Sequence, residues 1–155
     1  MASGYPLTLR WVALAYFVDS ILRFSYLDSS ALAFGFFIHG RTAYTLNLVL
    51  LLLGLYVALG LARHRAVAYP IACVLSIFSV ASALLLLVVP QSRDFLTQIG
   101  RQMEMQNSPD WLQMAIPYLG RGMLHACCLA WLLMHPALSH EAAPFRSDRA
   151  RQARG

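Results

Sequence analysis

Long apolar runs divided by short polar ones set the plan of this chain. The clearest run covers residues 44–62, which hold no charge, one amide (Asn47) and two glycines, and end against Arg63-His64-Arg65. About 20 apolar residues rising 1.5 Å each cross the roughly 30 Å hydrocarbon layer of a bilayer. No water reaches the backbone there, so such a run must be a helix with its N–H and C=O groups paired internally. A buried helix of a large soluble protein would look alike, but several such runs occur here with too little polar sequence to wrap them.

Four helices follow. The first is expected over about 7–27, opened by Pro6 near its first turn, and is the least apolar because Asp19 and Arg23 lie within it. Residues 28–40, DSSALAFGFFIHG, are too short to span. Their phenylalanines suit a loop in the membrane interface, and a continuation of the first helix is the rival. The second helix covers 43–62, with Arg41 as its earliest start, and the tight polar turn 62–66 makes it an antiparallel neighbour of the third, 67–89, which stops at Pro90. Ala72, Ser76, Ser79 and Ala83 share one face of helix three, where small side chains let a neighbour pack closely. In 91–108, Phe95, Leu96, Ile99, Met103 and Gln106 recur every three to four residues between Arg93, Asp94 and Arg101. That spacing predicts an amphipathic helix on the membrane surface. Ser108-Pro109-Asp110 supplies a cap, a first-position proline and an acid for the fourth helix, 109–135. Its first turns would stand above the bilayer, Pro117 would kink it, and Pro136 would end it. The expected fold is therefore an all-α membrane protein, a four-helix transmembrane bundle with an interfacial amphipathic helix between helices three and four. Residues 1–136 form its single domain, and 137–155 a basic tail, disordered or associated with headgroups.

Composition agrees. Of 155 residues 59% are hydrophobic and 12% charged, against about 25% charged in a typical soluble domain. Mean hydropathy is +0.57. All 12 basic residues are arginines, which suggests a GC-rich coding sequence and points to a bacterium, hence to the inner membrane. The net charge of +5 comes from helix-flanking and tail arginines, and suits topology and headgroup contact better than nucleic-acid binding. With the N-terminus inside, the inner face carries Arg10, Arg63, Arg65, Arg146, Arg149, Arg151 and Arg154. The outer face carries Arg41, Arg93 and Arg101, so both termini are expected in the cytoplasm. The first residues, MASGYPLTLR, lack the features of a cleaved signal, so the first helix should be retained.

Four polar residues at membrane depth hold the candidate chemistry. Asp19 and Arg23 are spaced i, i+4 on helix one, as are Arg121 and His125 on helix four. An arginine or aspartate at mid-helix is unfavourable by about 2.5–3.5 kcal/mol on insertion scales, so these residues should face the bundle and have partners. Counting 1.5 Å per residue along opposed helices puts Asp19 and Arg121 both near mid-depth, where they can pair. Asp19–Arg23 within helix one is the competing pair, and Arg23 could instead snorkel outward. The cluster reads as a site for an anion, proton or polar headgroup, as an ion pair that fixes helix register, or as a contact with a partner subunit.

Metals and cofactors find less. Membrane haem of the b type needs two axial histidines on facing helices, and His39, His64, His135 and His140 all fall away from the depth of His125. Only a dimer apposing two copies of His125 would provide the pair. Cys127-Cys128 beside His125 could relay a soft metal, helped by Met103 and Met105. A vicinal cysteine pair in a helix resembles small mercury-transport proteins, over that dipeptide alone. Adjacent helical positions diverge by about 100°, which keeps the two thiols off one ion. Cys73, Cys127 and Cys128 all lie in apolar segments and read as reduced, small apolar residues. No cofactor is named by any motif, and G-x-S-x-G, H-E-x-x-H, C-x-x-C and phosphate-binding glycine loops are absent. Two functions fit: a non-catalytic accessory or assembly subunit bound to other membrane subunits or to itself, or a small transporter or ligand-binding protein with Asp19, Arg121 and His125 lining a cavity. The layout is similar to that of many small bacterial membrane proteins.

Overall fold

The computed structural model describes residues 7–63, 65–102 and 111–134. Along them run α1 (Leu7–Phe24), β1 (Ala31–Ala33), β2 (Phe36–Ile38), α2 (Gly40–Ala62), α3 (Ala68–Val88), α4 (Pro90–Gln102) and α5 (Trp111–Met134). The chain is thus mostly helical, and α2, α3 and α5 are each long and apolar enough to cross a membrane, which is compatible with integral placement. Helix α1 is shorter, at 18 residues, and carries Arg10, Asp19 and Arg23. The expected cap at Ser108, Pro109 and Asp110, together with Pro6, Met103, Met105, Gln106, His64, His135, Pro136, His140 and the 137–155 tail, lies outside the described residues.

Residues 28–40 correct the expected loop and also its rival, a longer first helix. α1 stops at Phe24, three residues short of the expected end, because the N–H groups of Ser25, Tyr26 and Ser29 turn to carbonyls three residues back. Asn47 of α2 then donates to the carbonyls of Tyr26 and Ser29, each at 3.2 Å, and fixes that turn. The next residues form an antiparallel hairpin in which Ala31, Leu32 and Ala33 pair with Ile38, Phe37 and Phe36. Its two-residue turn, Phe34-Gly35, has φ of 49° and 80°, the pair of left-handed residues that a type I′ turn requires.

Phenylalanine is a costly choice there, and α3 compensates. The Phe34 N–H donates to Ser82 Oγ at 3.0 Å, and its ring meets Phe78 edge-on at 5.2 Å. A side chain on Gly35 would lie 2.9 Å from the Leu85 backbone, so only glycine lets the turn reach α3. Phe37 then packs on Phe95 of α4 (4.6 Å) and on Tyr118 of α5 (5.4 Å).

Pro90 begins α4, where its missing N–H costs nothing. Leu96 is buried with Leu86 and Ala115, and the Arg93 guanidinium stands 4.8 Å over the Trp111 ring while donating to the Leu87 carbonyl. Helix α5 runs through Pro117 without interruption.

The long helices pack in a ring: α1 on α2, α2 on α3, α3 on α5, with α5 returning to α1 through far sparser contact. Missing side chains make the close approaches. A Cβ on Gly54 would land on Ser20 of α1, one on Gly60 on Ala68 of α3, and one on Gly122 on Ala83. The small-residue face of α3 (Ala72, Ser76, Ser79 and Ala83) is buried, with Ser79 and Ala83 against Gly122 of α5. The Tyr69 hydroxyl ties α3 to the Leu132 carbonyl of α5.

Candidate functional site

A chain of polar side chains crosses the centre of the ring. Asp19 on α1 holds one guanidinium on each carboxylate oxygen: Arg23 Nε meets Oδ2 at 3.0 Å, and Arg121 Nε meets Oδ1 from α5. The two pairings open in the sequence therefore coexist. Asp19 is 8% exposed at its side chain, Arg23 11%, His125 4% and Arg121 26%.

The other end of the chain is built on Tyr16, three residues before Asp19 and so on nearly the same face of α1. Its hydroxyl donates to the Ala72 carbonyl at 2.6 Å and lies 2.6 Å from Ser76 Oγ. A phenol has one proton and a carbonyl none, so Ser76 must be the donor to Tyr16. With that proton committed, Ser76 Oγ can only accept from His125 Nδ1, 3.4 Å away. These counts assign a proton to Nδ1 of His125. Its ring also stands edge-on to Tyr16, with centroids 5.3 Å apart.

The opposite ring nitrogen faces a different problem. His125 Nε2 lies 3.5 Å from Asp19 Oδ2 and has no hydrogen-bond partner among the described residues. In the neutral ring, with its proton on Nδ1, Nε2 offers a lone pair to a carboxylate that offers only lone pairs. The contact is within ionic distance but lacks hydrogen-bond geometry. A proton on Nε2 would convert it into an ion pair.

With a neutral imidazole the cluster holds two positive charges and one negative. Each guanidinium uses only Nε on Asp19, and its terminal nitrogens donate to no other described residue. No motif in the sequence singles out Tyr16 as part of a polar cluster, and Ser76 there suits helix packing. A tyrosine within an apolar helix needs a partner for its hydroxyl, and that was the available signal.

The remaining candidates stand apart. Cys127 is exposed, Cys128 buried and Cys73 half-buried, all as free thiols. No three His, Cys, Asp or Glu side chains among the described residues are grouped to hold a metal ion. His39 bonds Ser30 Oγ at 2.7 Å beside the hairpin and stacks on Phe95. No protein-family model, no curated protein and no solved structure gives a significant match to the chain.

Proposed function

We propose that this chain is a non-catalytic accessory or assembly subunit of a larger complex in a bacterial inner membrane. In this reading α1 is a fourth span, α4 lies on the outer surface, and both termini are cytoplasmic. Two of the three charges of α1 become tolerable in the bilayer because Asp19 pairs with both Arg23 and Arg121, while Arg10 lies near the inner end of the helix. The observation that carries the proposal is the charge count of the cluster. Its own residues fill it, yet one positive charge is left over, and Arg121 is still a quarter exposed.

The transporter or ligand-binding reading has less behind it. Asp19 is taken up by direct contacts with Arg121 and His125. The groove between α1 and α2, at Leu9, Ala13, Phe17, Ala58 and Leu61, is apolar, and Arg10 is the charged residue on its wall.

Mild extraction into nanodiscs from the native host, followed by native mass spectrometry, tests the proposal. Other chains retained at fixed stoichiometry are the expected result. A lone chain or a homo-oligomer overturns it, and a small molecule lost on Arg121→Ala establishes the ligand-binding reading instead.

A further inference from the structure

We propose that the seam between α1 and α5 receives a transmembrane helix of a partner subunit, and that this helix presents an aspartate or glutamate to Arg121 and Arg23. The proposal rests on the accessory-subunit reading and names the chemistry of its partner. Two observations at one place support it. Two guanidiniums share a single carboxylate, so one acidic group is missing for balance. A guanidinium has five N–H donors, and each of these commits one to Asp19, which leaves the terminal nitrogens to be satisfied in a medium without water.

The seam is open where such a helix would lie. α1 and α5 make the sparsest contact in the ring of long helices. On α5 the residues one turn either side of Arg121, Pro117 and Leu124, are exposed, as are Val18 and Leu22 beside Asp19 on α1. Depth decides between an acidic helix and a lipid phosphate. Arg121 lies ten residues, about 15 Å, from Trp111, and a 24-residue helix is about 36 Å long, so the guanidinium emerges near its middle. Phosphates lie at the edges of a hydrocarbon layer roughly 30 Å thick. A carboxylate carried on a spanning helix reaches mid-depth directly.

The test places a photoreactive phenylalanine at Leu124, one turn from Arg121, in the full chain expressed in its native host, with a second at Val74 on the exposed face of α3 as the control. Irradiation should join position 124, and not 74, to a second polypeptide whose adduct peptide is an apolar segment holding an Asp or Glu. Arg121→Gln should lower that adduct by at least about tenfold, and Arg121→Lys should retain it. An adduct peptide with no acid overturns the proposal even if Arg121→Gln fails to fold. So does an adduct with lipid or with another copy of this chain. Subunits that co-purify but join only at 74 overturn the seam and leave the accessory reading standing. If no second polypeptide is retained at all, both fail.

Discussion

The Tyr16 hydroxyl of α1 meets both the Ala72 carbonyl and the Ser76 hydroxyl of α3 at 2.6 Å, across the diagonal of the helix ring. α1 and α3 otherwise barely touch, since α2 stands between them. One phenol therefore joins two elements that shape alone would leave apart. Tyr16→Phe should lower stability by about 1 kcal/mol, the scale of interhelical hydrogen bonds in membrane proteins. Titration of micelle-embedded protein with denaturing detergent measures this, and an unchanged midpoint would mean that the phenol does not hold α3.

Asp19→Asn leaves two guanidiniums facing each other without a counter-charge. Loss of one partner from a buried ionic group costs about 3–5 kcal/mol. Adding Arg121→Gln removes one of the stranded charges, so the double variant should be more stable than the sum of its two single changes by about 1 kcal/mol or more. A double-mutant cycle in nanodiscs gives the answer. Strict additivity would show that the two residues do not interact.

Gly122 sets the spacing of α3 and α5, because a Cβ there lands on Ala83. Gly122→Leu should destabilise the bundle by about 1–3 kcal/mol through overpacking. Combining Gly122→Ala with Ala83→Gly moves one methyl group across the interface and should recover most of what Gly122→Ala alone loses. Thermal melts of the four proteins test the exchange.

Gly35→Ala places a side chain at φ 80° and drives it into the Leu85 backbone. The left-handed conformation alone costs roughly 1–2 kcal/mol, so the hairpin should leave α3 while the helices stay folded. Amide exchange across residues 31–38 is expected to speed up by about tenfold or more, with α2 and α3 unchanged. Equal protection in the variant would show that the hairpin does not dock through Gly35.

The long helices were legible because length and apolarity alone decide them, as in the uncharged run before Arg63. The hairpin was not. Its turn is Phe-Gly where a hairpin usually signals itself by Asn-Gly or Asp-Gly, and the help that Phe34 receives comes from Ser82 and Phe78, some 45 residues onward. At the polar cluster the ionic residues stood out, since charges within apolar helices are rare, and counting along the helices puts Asp19 level with Arg121. Tyr16 and Ser76 were hidden because each is an ordinary member of its helix, as an amphipathic aromatic and a small packing residue. Only the diagonal arrangement of α1 and α3 makes them neighbours.

The contact of Asp19 with Arg121 spans 102 residues of chain, and this bears on the order in which the molecule can be made. At about 5–20 residues per second, a ribosome reaches Arg121 roughly 5–20 seconds after Asp19. Through that interval Asp19 has Arg23 of its own helix as its partner. The arginine of α5 arrives later with no acid of its own helix to meet it. The arginine of α5 therefore finds its acid only on a helix already made.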